Sequence, residues 1–187
     1  TLTGSEPAGQ SVAAICGDEI KPSVMELGGS DPFIVMPSVD LDDAVKTAVT
    51  ARVQNNGQSC IAAKRFIVHT DIYDAFVDKF VERMQALKVG DPSAQGVDLG
   101  PVVSRAQFDK IQRMIGVGIV EGAKLAAGGL GRPDDLERGY YVKPTVFGEV
   151  TPQMAIAREE IFGPVLTIMA YADEEEAVRI ANDTVYG

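Results

Sequence analysis

The sequence predicts an α/β fold. Three observations point there. Strand-like and helix-like segments alternate along the chain. Residues 165–170 form a continuous apolar run of the length and type of a buried strand. The 187 residues are 45% hydrophobic and 24% charged, enough apolar material for a packed core and not the composition of a disordered tail.

Each element has a local reason. Residues 1–3 read as a strand stub running into Gly4-Ser5, and residues 7–16 as a short helix that Gly17 would end. Residues 23–27 are a strand stopped by Gly28-Gly29, and 33–36 a second short strand after Pro32. Asp40 has N-cap character. Leu41, Ala44, Val45, Ala48, Val49 and Val53 follow it at helical spacing until Asn55-Asn56-Gly57. Residues 65–69 are a strand. Asp71 is expected to cap the next helix, with Ile72, Ala75, Phe76, Phe80, Met84 and Leu87 on its apolar face and Gly90-Asp91-Pro92 as its breaker. Ser104 and Gln107 have capping-box spacing, and the helix they open runs through Ile111, Met114 and Ile115 towards Gly116 and Gly118. A strand over 123–127 and a loop over 128–139 follow. Residues 140–147 look extended, and Pro144 within them suits an edge strand. The strand over 165–170 leads to a helix over 173–182, where the acids 173–176 are favourable against the helix dipole.

Charge and composition exclude several functions. With 27 acidic against 17 basic residues the net charge is −10, a poor basis for binding phosphate backbones or anionic lipid. No apolar stretch approaches the ~20 residues of a membrane span, and no basic-then-apolar leader is visible. The two cysteines, Cys16 and Cys60, and the single histidine, His69, leave no Cys/His zinc set. His69 closes the run Phe66-Ile67-Val68 and reads as a strand end. Two cysteines make no disulfide scaffold, so a reducing, cytoplasmic compartment is expected.

Four places could carry chemistry. Cys60 lies in Asn55-Asn56-Gly57-Gln58-Ser59-Cys60, a polar junction between a helix and a strand. It is either a thiolate nucleophile helped by backbone N–H groups or a partly buried thiol. Cys16, among Ala13, Ala14 and Ile15, reads as structural. Glu26 ends an apolar strand ahead of two glycines, where open α/β sheets bind ligands. Burial there would raise its pKa towards a general-base range, while the plainer reading is a charge on an edge strand. Gly4-Ser5-Glu6-Pro7-Ala8-Gly9 opens a helix whose N–H groups suit a phosphate. A P-loop is excluded because Gln10 stands where its lysine is required. A generic phosphate turn and a plain helix start both stay open. Glu159-Glu160-Ile161-Phe162-Gly163-Pro164 places paired acids before a turn, as ribose ligands or as solvated charges.

Taken in order, Thr3-Gly4-Ser5, Met25-Glu26-Leu27-Gly28-Gly29, Asn56-Gly57-Gln58-Ser59-Cys60 and Glu159-Glu160-Ile161-Phe162-Gly163-Pro164 resemble the signature segments of the NAD(P)-dependent aldehyde dehydrogenase superfamily. The likeness extends through Gly90-Asp91-Pro92, Gly100-Pro101, Lys143-Pro144-Thr145-Val146 and Ala181-Asn182-Asp183-Thr184. Residues 55–68 are most similar to its succinate-semialdehyde dehydrogenase branch.

The resemblance implies an open, mostly parallel sheet flanked by helices and truncated at both ends. Residues 1–28 would be the tail of the cofactor-binding domain and 29–187 an incomplete catalytic domain. It implies Cys60 as nucleophile, forming a thiohemiacetal and then a thioester, and Glu26 as the base for the hydrolytic water. An oxyanion hole would combine the Cys60 N–H with an asparagine side chain upstream of Thr1. Gly4, Ser5 and Gly9 would lie in the turn and helix beside the pyrophosphate of NAD or NADP, and Leu27 would meet the nicotinamide amide through its backbone. Glu160 and Gln107 would meet ribose, and Phe162 the nicotinamide. The implied partners are a small aldehyde and further copies of the full-length chain, with no nucleic acid or membrane. The portion 1–187 alone would then be an inactive module.

Overall fold

The computed structural model describes residues 1–186. They divide into two compact units, residues 1–29 with Tyr186, and residues 30–185.

In the first unit, β1 (Leu2–Thr3) and β2 (Met25–Glu26) pair in parallel, with Thr3 opposite Glu26. Between them runs α1 (Glu6–Asp18), which starts earlier and ends later than the sequence suggests. Gly17 lies inside it rather than ending it, and a Cβ there would meet nothing within 4 Å, so no close contact demands glycine.

The second unit holds a five-stranded sheet of order β3-β4-β7-β6-β5. Its strands are β3 (Pro32–Val35), β4 (Arg65–His69), β5 (Lys124–Ala127), β6 (Thr145–Gly148) and β7 (Val165–Tyr171). All neighbours are parallel except β5 against β6. Side chains alternate to opposite faces, so both faces need cover. Phe66, Val68, Leu166 and Ile168 pack with Val45, Ala48, Val49, Phe76, Phe80 and Met84, contributed by α2 (Leu41–Val53) and α3 (Tyr73–Ala86). Ile67, Val165, Met169 and Tyr171 pack on the other side, against α4 (Arg105–Val120), α5 (Ala155–Arg158) and α6 (Glu174–Asn182). The result is a helix–sheet–helix sandwich.

The caps expected at Asp40 and Ser104 form, each side chain accepting from the amide three residues on, and Asp173, expected only as one of several acids at a helix start, caps α6 in the same way. Asp71 does not cap. It lies in a 3-10 turn, and its amide donates to His69 Nδ1 at 3.2 Å. The extended stretch 140–147 yields a strand only after Pro144, and that strand is internal, between β7 and β5. Proline is compatible because it precedes the ladder. Gly116 and Gly118 do not interrupt α4. At Gly118 a Cβ would lie 2.3 Å from Ile156 Cδ1 and 3.2 Å from Phe147 Cζ, so the glycine lets the helix approach α5 and β6. Among the described residues no helix is long and apolar enough to cross a membrane.

Candidate functional site

Cys60 sits in a turn between the end of α2 and the start of β4, and its side chain is half-buried. The turn is built on unusual backbone. Asn55 (φ 48°), Asn56 (φ 59°) and Gly57 (φ 72°) are successive left-handed residues. A residue with a Cβ gives up about 1–2 kcal/mol in that region, asparagine being among the more tolerant. The polar side chains of the motif hold the strained chain in place. Asn55 Nδ2 donates to the Gln58 carbonyl at 2.9 Å. Asn56 Oδ1 accepts from Gly100 N at 2.8 Å, and Gln58 Oε1 accepts from Val103 N at 2.8 Å. The Asn-Asn-Gly-Gln run is thus fastened to the loop that opens α4. Strain of this kind gathers near reactive groups when the surroundings over-determine it.

Gly57 also presses on a second candidate segment. A Cβ on it would lie 2.2 Å from the Gly163 carbonyl oxygen. Gly163 follows Phe162, whose carbonyl accepts from Gln107 Nε2 at 2.8 Å. Gln107 therefore serves as a tie on the Phe162 backbone. Glu160 and Phe162 are both half-buried, and Glu159 is exposed. The fold brings Cys60's turn, Gln107 and residues 159–163 into one neighbourhood.

Three buried cations underlie this neighbourhood, and motif reading missed them. Arg52, Lys64 and Arg65 are 1%, 1% and 3% exposed. Arg52 Nη2 donates to the Gly57 carbonyl at 2.6 Å, and its Nε has no hydrogen-bond partner among the described residues. Burial pulls its pKa down to about 10, opposed by the Glu160 carboxylate, and it stays charged at neutral pH. Lys64 Nζ donates to the carbonyls of Ile156 (3.0 Å), Ala157 (2.7 Å) and Glu159 (2.5 Å). Burial pushes the Lys64 ammonium well below the ordinary lysine value. Arg65 and Arg52 add to the effect, and Glu159 and Glu160 oppose it. Arg65 donates to the carbonyls of Ser30, Ile180 and Ala181, tying β4 to the end of α6. Burial lowers its pKa as well. One signal was available. Arg52 falls in phase with Val45, Ala48 and Val49 on the apolar face of α2, where an unpaired charge has no place unless it is bonded.

The first unit gathers the other candidates. Gly4 N donates to the Glu26 carbonyl at 3.0 Å. Ser5 precedes α1 without a side-chain cap bond, so the first amides are left to other acceptors. Gly9 is buried, and a Cβ there would lie 2.6 Å from Leu27 Cδ2, which sets a close approach of α1 to Leu27. The Glu26 side chain is exposed. Burial of its carboxyl, expected from the strand-end position, is not supplied by the described residues, because β2 is two residues long and has a single strand partner. Cys16 is half-buried near the end of α1, and its carbonyl accepts from Lys21 N at 2.8 Å. His69 accepts the Asp71 amide and stacks edge-on against Tyr171 at 5.2 Å, as a strand-end residue.

Comparison with known proteins gives a consistent answer. The model of the aldehyde dehydrogenase family matches residues 1–187. The succinate-semialdehyde dehydrogenase [NADP(+)] of Mycolicibacterium paratuberculosis is 64% identical over 187 residues, covering 100% of this chain and 39% of that protein. A Mycobacterium tuberculosis protein named succinate-semialdehyde dehydrogenase [NADP(+)] 1 is 58% identical over 189 residues, covering 100% of this chain and 40% of its own. Among solved structures, a variant of aldehyde dehydrogenase C from Pseudomonas syringae, complexed with NAD+ and octanal, superposes with a TM-score of 0.97 at 46% identity, over 99% of this chain and 38% of that one. A Mycobacterium tuberculosis aldehyde dehydrogenase complexed with NAD+ gives a TM-score of 0.96 at 42% identity, over 99% and 38%. The chain thus spans about two fifths of the length of the curated relatives it matches, 39% for the first of them.

Proposed function

The chain belongs to the aldehyde dehydrogenase family, and on that premise we propose that it forms the nucleophile-bearing part of an NADP-dependent enzyme oxidising succinate semialdehyde to succinate. The substrate and the choice of NADP over NAD follow the names of relatives at 58–64% identity. The observation that carries the chemistry is the Cys60 turn, with three left-handed residues and every motif amide side chain engaged in holding them. Such preorganisation suits a thiol that must meet a carbonyl in one orientation.

The residues fit a dinucleotide. The uncapped N-terminus of α1 offers amides to a pyrophosphate, and Gly9 lets that helix pack closely on Leu27. In the first unit the residues that would meet the cofactor are Gly4, Ser5, Gly9 and Leu27; in the second, taken by itself, they are Glu160 and Phe162. Gln107 would reach a ribose with its amide nitrogen only by releasing the Phe162 carbonyl. When bound, the dinucleotide supplies a hydride acceptor.

The reaction then rests on this chain's residues. Cys60, as thiolate, adds to the aldehyde carbon to give a thiohemiacetal. The developing oxyanion is held by the Cys60 N–H and an asparagine of the longer chain. Loss of hydride leaves a thioester on Cys60. Glu26 takes a proton from the water that cleaves it, releasing the carboxylic acid and the thiol. A reducing cytoplasm keeps that thiol available. The full-length enzyme works as a homo-oligomer.

The test uses the full-length chain, NADP+ and succinate semialdehyde, followed by dinucleotide reduction. Turnover abolished by Cys60→Ala is expected, and a Cys60→Ala variant with wild-type turnover would overturn the reading. A second reading, an inactive folded module, applies to residues 1–187 by themselves and is favoured by their 39% share of the relatives' length. Dinucleotide reduction by that portion alone would refute it.

A further inference from the structure

Lys64 is one of three buried cations for which the proposed chemistry has no use. It stands four residues after Cys60. Its backbone extends the start of β4, an internal strand. Lys64 N donates to the Asp31 carbonyl at 3.2 Å, and its carbonyl accepts from Thr167 N at 3.0 Å and Thr167 Oγ1 at 3.3 Å. Its side chain leaves the sheet and ends among the carbonyls of Ile156, Ala157 and Glu159. An ammonium has three protons, and here each has a carbonyl acceptor.

Those carbonyls belong to α5 and the residue that follows it. A four-residue helix leaves its last carbonyls without intrahelical partners, and a cation is the natural cap. The residues that follow are Glu160, Ile161 and Phe162. The segment has further ties, Gln107 to the Phe162 carbonyl and Gly57 against Gly163. Lys64 is the one that starts from the nucleophile's own stretch of chain and reaches the segment's beginning.

We propose that Lys64 is a positioning residue for the cofactor, setting where residues 160–162 stand relative to the Cys60 turn and so how tightly the dinucleotide is held. The inference rests on the reading of Cys60 as nucleophile and of Glu160 and Phe162 as cofactor contacts. It assigns Lys64 no proton transfer and no contact with the aldehyde. Removing the ammonium frees α5 and the Glu159 carbonyl to seek water, and moves Glu160 and Phe162 with them. The turn before Cys60 keeps its own ties through Arg52, Asn56 and Gln58.

The test compares Lys64→Met with wild type in the full-length enzyme, with three readouts. Dinucleotide affinity is measured by direct titration, turnover by KM and kcat, and thiol reactivity by the rate of Cys60 alkylation without cofactor. The expected result is a dinucleotide Kd and KM raised about tenfold, ~1.4 kcal/mol, with Cys60 alkylation within about twofold of wild type. Unchanged dinucleotide affinity, or a loss confined to kcat, would overturn the proposal. If Lys64→Met does not fold, Lys64→Arg is scored by the same criteria, since a longer cation must displace α5 while keeping charge and donors. Failure of the parent reading is seen separately, as turnover that survives Cys60→Ala.

Discussion

Gly57→Ala puts one methyl group at the most crowded point of the site. The residue has φ 72°, a left-handed conformation that costs a residue bearing a Cβ about 1–2 kcal/mol. The added carbon would stand 2.2 Å from the Gly163 oxygen and 3.0 Å from Arg52 Nη2. An ordinary C···O approach is about 3.3 Å, so roughly 1 Å of movement is required. Gly163 is itself tightly packed, since a Cβ on it would lie 2.4 Å from Ile111 Cδ1 in the core. The displacement therefore falls on the turn that carries Cys60. The combined backbone and overpacking cost is about 2–5 kcal/mol. A reacting group misplaced by about 1 Å loses on the order of 10²-fold in rate. Gly96→Ala is the control, since Gly96 has φ 76° but open space where the Cβ would go. Both variants are made in the full-length enzyme, with denaturant unfolding for stability and kcat at saturating aldehyde and dinucleotide. Gly96→Ala should lose only the backbone cost and keep kcat. If Gly57→Ala matches it in both measurements, the welding of the Cys60 turn to Gly163 is wrong.

Two further outcomes follow from packing and burial. Gly118→Ala drives a Cβ into Ile156 and Phe147 and should cost about 1–3 kcal/mol, whereas Gly116→Ala, which meets nothing within 4 Å, should gain about 0.5–1 kcal/mol from helix propensity; equal unfolding midpoints would contradict the close approach of α4 to α5. Lys64 has a folded-state pKa pushed down by burial, so the unfolded chain binds more protons between that lowered value and the ordinary 10.5. The penalty for burying the charge is full below the lowered value and is relieved as pH rises through it. Stability of wild type relative to Lys64→Met should therefore rise with pH in the alkaline range, and a flat or falling difference in unfolding free energy would contradict the burial.

Local signals in the sequence proved reliable where the physics is local. Asp40 and Ser104 announce their helices because a cap needs only the next three residues. Residues 65–69 read as a strand because an apolar run buried on both faces leaves no helical period. The failures are non-local. Nothing within residues 140–147 tells that β6 lies between β7 and β5, since sheet order depends on partners elsewhere. Four-residue α5 is too short to show a period. The buried cations Lys64 and Arg65 look like an ordinary basic pair until their acceptors are seen, more than 90 residues away in α5, the residue after it and α6 for five of their six bonds. Cys60 and Glu26 were picked out by ordered motifs, and the structure adds how the Cys60 turn is held. Gln107, placed by resemblance at a ribose, also holds the Phe162 backbone, a tie no motif announces.

The central claim is that Cys60 becomes acylated. Full-length enzyme carrying Glu26→Gln, which removes the proposed base for hydrolysis, is mixed with succinate semialdehyde and NADP+, quenched in acid, digested and analysed by mass spectrometry. A succinyl thioester on the peptide containing Cys60, with Cys16 unmodified, is the result expected. Dinucleotide reduction with Cys60 left unmodified, or acylation at Cys16 instead, would contradict it.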